Sequence, residues 1–267
     1  MQGSFESGKN PFSCKVAYTL AVQVIHVLEY IHSKGYAHND VKAQNMLLGH
    51  GRGSRDVFLV DFGLVSKYER DGVHLEYKPD PRKMHDGTIE YLSRDAHIGV
   101  KVRRNSRYFT VQWFYILLLF SHSCNQTLPC VKGRRSDLEV LAYNVVHWMS
   151  GTLPWMDNLA EPKSVQKQKE KYMADVPAFL KKCFGGGDYP EEIRTFLDYL
   201  NQLEFHAKPD YAKCVKIFTD GLKKRKLPAD GKVDLSAVAK SPLKRSPKKT
   251  PKKSPAKRVR SATPKQE

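Results

Sequence analysis

Across residues 11–33 the apolar side chains Ala17, Leu20, Ala21, Val24, Leu28 and Ile31 recur at spacings of three and four. This pattern constrains the fold more than any other stretch, because it predicts one long helix with a continuous buried face, stopped by Lys34-Gly35. Two short β-prone runs follow at 46–49 and 57–61, separated by "HGRGSRD", whose glycines and charges suit a tight reversal. A polar loop is thereby placed between a helix and a small β-hairpin.

Downstream, residues 62 to about 100 are polar and include Pro79 and Pro81, and they read as a long ordered loop without regular elements. The stretch 136–151, "SDLEVLAYNVVHWMSG", opens with a Ser-x-x-Glu capping box and is apolar almost all round, so it predicts a buried central helix closed by Gly151. Further helices are predicted at 162–174, 176–184, 190–204 and 209–222. The fold class that results is mainly α, of the α+β kind. A chain of 267 residues with 40% hydrophobic content supports one sizeable core, and hence one domain with extensions.

The composition excludes several function classes. Cys14, Cys124, Cys130, Cys183 and Cys214 form no CxxC pair, which argues against a zinc site or a disulfide framework and for a reducing compartment. The first residues, MQGSFESGKNPFS, lack the basic-then-apolar pattern of a signal peptide. The apolar run at 108–120 falls short of the roughly 20 residues needed to span a bilayer, so no membrane association is expected.

The chemistry concentrates at residues 38–63. His38-x-Asp40-x-Lys42-x-x-Asn45, followed by Asp61-Phe62-Gly63, supplies what phosphoryl transfer needs. Asp40 would orient and deprotonate a hydroxyl, Lys42 would face the phosphate, and Asn45 and Asp61 would offer hard oxygen ligands to magnesium. These two motifs, in this order and setting, resemble the catalytic loop and DFG motif of the eukaryotic protein kinases, with the Lys of the serine/threonine form two residues after the Asp. "HDGTIEYLSRDAHIGV" (85–100), "RRSDLEVLAY" and "GTLPW" (134–155) are similar to the casein kinase 1 group. "EYKPDPRKMHDGTIEY", "LPWMDNL" and "KPDYAKC" are most similar to its vaccinia-related kinases, also called nucleosomal histone kinases.

The resemblance implies the large C-terminal lobe of a kinase fold over residues 11–236, after a disordered start at 1–10. It implies ATP and Mg2+ as cofactors, with Lys42, Asn45 and Asp61 at the nucleotide. Histones or other chromatin proteins are the implied partners. Thr88 would lie beside Asp40 and Lys42 as part of the catalytic group. His38, Gly63 and Asp137 would support the loop, with Asp137 anchoring its backbone from the central helix. Asn39 stands where many kinases carry the Arg that captures an activation-segment phosphate, so no dependence on such a phosphate is expected.

Two departures from the family pattern and one added segment complete the reading. No Gly-rich loop or Val-Ala-Ile-Lys strand precedes Pro11, so the ATP-gripping small lobe is expected to be absent from this chain. Residues 102–132 interrupt a family pattern that reads continuously from "DAHIGVK" to "GRRSDLEVL", as an insertion of the kind a retained intron leaves. Residues 237–267 form a disordered, basic tail with five Ser/Thr-Pro pairs. Between Lys240 and Glu267, eleven Lys or Arg stand against one Glu, supplying +10 of the chain's +17 charge. Lys248, Lys249, Lys252, Lys253, Lys257, Arg258 and Arg260 suit a nuclear-import address and nonspecific contact with DNA phosphates. The expected location is nuclear, with cytoplasmic presence also compatible. Two functions follow: a serine/threonine protein kinase acting on chromatin proteins, or a catalytically inactive chromatin- or DNA-binding scaffold.

Overall fold

The computed structural model describes residues 12–75, 85, 87–98 and 133–234. The expected start at 1–10, the insertion 102–132 and the basic tail, with Lys248, Lys249, Lys252, Lys253, Lys257, Arg258 and Arg260, lie outside the described residues.

Helix α1 (Cys14–Ser33) runs through the predicted span, capped by the Ser13 hydroxyl accepting from the Val16 amide. Its length and apolarity would suffice to cross a bilayer, but Ala17, Leu20, Ala21, Val24, Ile25 and Leu28 are fully buried in the protein core. The chain reverses through Lys34 and Gly35 into β1 (Tyr36–Ala37), and then reaches β2 (Met46–Leu48) and β3 (Val57–Leu59). Strands β2 and β3 pair antiparallel, with Met46 opposite Leu59 and Leu48 opposite Val57. Strand β4 (Ser66–Lys67) returns antiparallel to β1.

Helix α3 (Arg134–Ser150) is the centre of the molecule, with thirteen of its residues buried. Around it pack α1, α4 (Pro162–Ala174), α5 (Val176–Cys183), α6 (Glu191–Gln202) and α7 (Tyr211–Lys224). Rings fill the joints between them. Phe179 stacks on Trp155 at 5.4 Å, Tyr143 meets the Trp155 ring edge-on at 5.2 Å, and Phe218 meets both Tyr18 and Phe196 at 5.1 Å. At the far end, Glu192 accepts two hydrogen bonds of 2.8 Å from Arg225 and one of 3.0 Å from Tyr18, tying α1, α6 and α7 together.

Two local expectations are corrected. Ser136 and Glu139 do not form a capping box, because α3 starts two residues earlier with Gly133 at its N-cap. Both side chains face inward: Ser136 meets the Ser93 hydroxyl at 2.6 Å, and Glu139 accepts from Arg94 and Tyr143. Nor is the stretch after residue 62 free of regular elements. It holds β4, the hairpin of β5 (Glu69–Arg70) and β6 (Val73–His74), and the short α2 (Arg94–Ile98). The β5–β6 turn places Asp71 and Gly72 at φ 52° and 78°, the mirror-image turn that Asp-Gly favours because neither residue resists positive φ strongly.

Phe179 is wholly buried among Trp155, Tyr143 and Tyr172. Phe179→Ala is therefore expected to lower the unfolding free energy by about 3–5 kcal/mol through lost transfer energy and a residual cavity, read from the urea midpoint at unchanged slope.

Candidate active site

The loop between β1 and β2 carries His38, Asp40, Lys42 and Asn45, and its shape is imposed from below. Asp137, fully buried in the first turn of α3, accepts from the His38 amide at Oδ2 and the Asn39 amide at Oδ1, both at 2.7 Å. The same Oδ2 lies 2.8 Å from His32 Nε2, and His32 Nδ1 lies 2.7 Å from the Tyr211 hydroxyl. Two residues in a row can aim their amides at one carboxylate because Asn39 adopts φ 68°, a conformation that Asn tolerates better than most residues. Burial pushes the Asp137 carboxyl up, but the hydrogen bond and charge of His32, the charge of His38 and the His38 amide outweigh it and hold it below the usual carboxylate range. Asn144, about two turns further along α3, donates to the Val41 carbonyl at 2.9 Å and supports the next stretch of loop.

On this support three of the residues singled out in the sequence converge. Asp40 Oδ1 accepts from the Thr88 hydroxyl at 2.7 Å, Asp40 Oδ2 lies 2.7 Å from Lys42 Nζ, and Lys42 Nζ donates to Thr88 Oγ1 at 2.8 Å. Asn45 Nδ2 donates to Asp40 at its backbone oxygen (2.8 Å) and at Oδ2 (3.1 Å). Burial pushes the Asp40 carboxyl up, yet the hydrogen bonds from Lys42 and Thr88, the Lys42 charge and Asn45 hold it below its ordinary value, so it is ionised at neutral pH.

The hairpin register brings in the second motif. The Val60 amide donates to the Asn45 carbonyl at 2.8 Å, which places Asp61 beside Asn45 although the two are sixteen residues apart. Asp61 sits at φ 64° and accepts from the Gly63 amide at 3.2 Å; a Cβ at Gly63 would lie only 3.0 Å from Asp61 Oδ1. His38 Nε2 lies 3.2 Å from the Val60 carbonyl, and its ring meets Phe62 edge-on at 5.1 Å, joining the two motifs. Burial pushes the His38 imidazolium down, against the opposing charge of Asp137. Both Nδ2 hydrogens of Asn45 go to Asp40, so its amide oxygen and the Asp61 carboxylate are the atoms left for a metal. These are hard oxygen donors of the kind magnesium takes when phosphates and waters complete its shell. Among the described residues no group of three or more His, Cys, Asp or Glu is placed to hold a metal by itself.

Several supporting contacts were not legible in the sequence. Asn39 directs its amide nitrogen to the Leu64 carbonyl (2.7 Å) and the Ser66 hydroxyl (2.8 Å), clipping the strand that follows Asp61-Phe62-Gly63 to the catalytic loop. Arg94 pairs with Glu139, and Arg135 with Asp95 at 2.6 Å, so the segment after Thr88 is bolted to α3. Lys169 is fully buried beneath that same segment. Its signal was available: on α4 it falls between Val165 and Met173 at spacing four, a Lys on an otherwise apolar stripe.

Asp137→Ala strands two loop amides and a buried imidazole, and is expected to cost about 3–5 kcal/mol of unfolding free energy. Because the folded carboxyl is held below its unfolded value, that contribution is fully present above about pH 4 and disappears only as pH falls through the lower folded pKa. Urea titrations from pH 7 to 3 should therefore show a gap between wild type and variant that is constant to about pH 4 and narrows below it.

Residues 3–208 match the protein kinase domain family. Nucleosomal histone kinase 1 of Drosophila melanogaster is 40% identical over 220 residues, which are 81% of this chain and 31% of that protein. Serine/threonine-protein kinase VRK2 of Homo sapiens is 35% identical over 212 residues, 79% of this chain and 36% of that protein. A probable serine/threonine-protein kinase of fowlpox virus, FPV212, is 31% identical over 212 residues and is covered to 58%. The chain thus spans about a third of the length of the first two relatives. With its loop residues gathered on Asp137, the chain belongs to the protein kinase domain family, in the vaccinia-related kinase group.

Proposed function

We propose that this chain works as a serine/threonine protein kinase, transferring the γ-phosphoryl group of ATP to hydroxyls of chromatin proteins such as histones. The observation that carries this reading is the convergence of Asp40, Lys42 and Thr88 within 2.8 Å of one another, beside Asn45 and Asp61. The described residues are read as the large lobe of such an enzyme.

Asp40, ionised at neutral pH, accepts the proton of the substrate hydroxyl as its oxygen bonds to phosphorus. The bond from phosphorus to the β,γ-bridging oxygen breaks, and ADP leaves with those electrons. Lys42 offsets the negative charge that builds on the transferred group. Thr88 keeps Lys42 and Asp40 in register and marks where the acceptor peptide passes. Asn45 and Asp61 would hold Mg2+, which neutralises phosphate charge when bound. Asn39 offers no cation to an activation-segment phosphate and instead holds Leu64 and Ser66 directly, which supports activity without that modification. The name of the Drosophila relative supports histones as the acceptor class and the nucleus as the place of action.

A second reading, a chromatin-binding scaffold without catalysis, is favoured by one observation: the charge concentrated between Lys240 and Glu267. The two separate on one variant. Asp40→Asn is expected to reduce ATP-dependent phosphate incorporation into purified core histones by roughly a hundred- to ten-thousand-fold; equal incorporation by wild type and variant would refute the kinase reading. The tail has its own test. DNA affinity should fall by orders of magnitude between 50 and 200 mM salt, and a chain ending at residue 236 should lose most of both the affinity and the salt slope.

A further inference from the structure

The segment that follows Thr88 rests on a buried lysine. Lys169 on α4 is 0% exposed. Its Nζ donates to the carbonyls of Ile89 at 2.8 Å and Leu92 at 2.7 Å and lies 3.2 Å from His97 Nε2. The ammonium also sits 5.2 and 5.1 Å from the ring centroids of Tyr143 and Trp155, within cation–π reach. The Trp155 indole donates to the carbonyl between those two, that of Glu90, at 2.8 Å. Three carbonyls of one short turn therefore point down onto α4 and Trp155. The turn is closed from within by the Tyr91 and Leu92 amides, which both donate to the Thr88 carbonyl at 3.0 and 2.9 Å.

Among the described residues no carboxylate shares this work. Glu139 and Glu90 act on Lys169 through space, and the Glu139 oxygens are taken by Arg94 and Tyr143. Burial pushes Lys169 well down from its ordinary pKa, against the opposing charges of Glu139 and Glu90. An apolar side chain of similar length would fill the same space without the desolvation cost of a charge. What only an amine can do here is gather successive carbonyls into one geometry. The hold extends to the other flank of Thr88: when Lys169 donates to His97 Nε2, His97 Nδ1 carries the hydrogen shared with His85 Nδ1 at 2.9 Å. The charges facing this chain of nitrogens are those of Lys163, Glu90 and Glu139.

We propose that Lys169 is a positioning residue for the protein substrate: it pins the turn from Thr88 to Leu92 against α4, so that the Thr88 hydroxyl stays on Asp40 and Lys42 and the acceptor peptide meets a preformed ledge. The catalytic consequence rests on the kinase reading; the pin itself does not.

The test uses the full chain and Lys169→Met. Hydrogen exchange at the Tyr91 and Leu92 amides should quicken by about tenfold or more, with α1 amides unchanged. KM for core histones should rise by a similar factor, with KM for ATP unchanged. Unaltered exchange at Tyr91 and Leu92 in a variant that still melts cooperatively would overturn the proposal, as would an equal rise in both KM values. If the variant does not fold, the wild type decides. In increasing urea the Tyr91 and Leu92 amides should lose protection on the same isotherm as those of α4, whereas exchange of the turn amides at a urea-independent rate while α4 stays protected would refute the pin. A wild type that incorporates no phosphate would remove the kinase reading and leave the exchange result to judge the pin.

Discussion

A single buried carboxylate, that of Asp137, sets the geometry on which the rest of the site depends. Its two oxygens take the His38 amide, the Asn39 amide and the His32 ring, so one side chain fixes the end of α1, the catalytic loop and the start of α3 relative to one another. An isolated carboxylate at that depth would be very costly; three donors make it stable and make the loop conformation a condition of its stability. Tyr211 extends the arrangement to α7 through the other nitrogen of His32. The loop that carries Asp40 is thus strung between three helices of the core and inherits their rigidity.

The opposite side of the site is held by different means. Lys169, the pairs of Arg94 with Glu139 and Arg135 with Asp95, and the Ser93–Ser136 contact attach the segment after Thr88 to α3 and α4. The amide of Asn39 holds the segment after Asp61. Glu139 and Asp95 lie close enough to interact, and their environments separate them. Burial and the Glu139 charge push Asp95 up, whereas Glu139 is held down, against its burial, by Arg94 and Tyr143. The paired guanidinium groups let both acids sit at one end of α3.

Much of this was legible in residue order, and the exceptions have physical causes. The period of α1, the hairpin around "HGRGSRD" and the helix ends at Gly35 and Gly151 are local properties, written in neighbouring residues. The spacing from Asp40 to Asn45 and on to Asp61 pointed to one chemistry because those residue types serve one reaction class. Ser136 and Glu139 misled because their spacing is that of a capping box, while the partners that claim them, Ser93 and Arg94, lie more than forty residues upstream. Tertiary partners of that kind leave no local trace. The role of His32 was hidden for the same reason, since a His on the buried face of an amphipathic helix reads as packing. The Asp71-Gly72 turn, by contrast, was available and was masked only by the polarity around it.

The Gln23 side chain joins the last described residues to the first half of the fold. Its amide nitrogen donates to the carbonyls of Arg55 and Gly231, its oxygen accepts from the Val57 amide, and the Val233 amide donates to Arg55. The last described residues are thereby buckled to the β2–β3 hairpin, the same hairpin whose register sets Asn45 beside Asp61. Whatever follows Asp234 therefore leaves the described fold at the hairpin that also carries Asn45 towards Asp61, so a load on that end of the chain would bear first on the register of the candidate site.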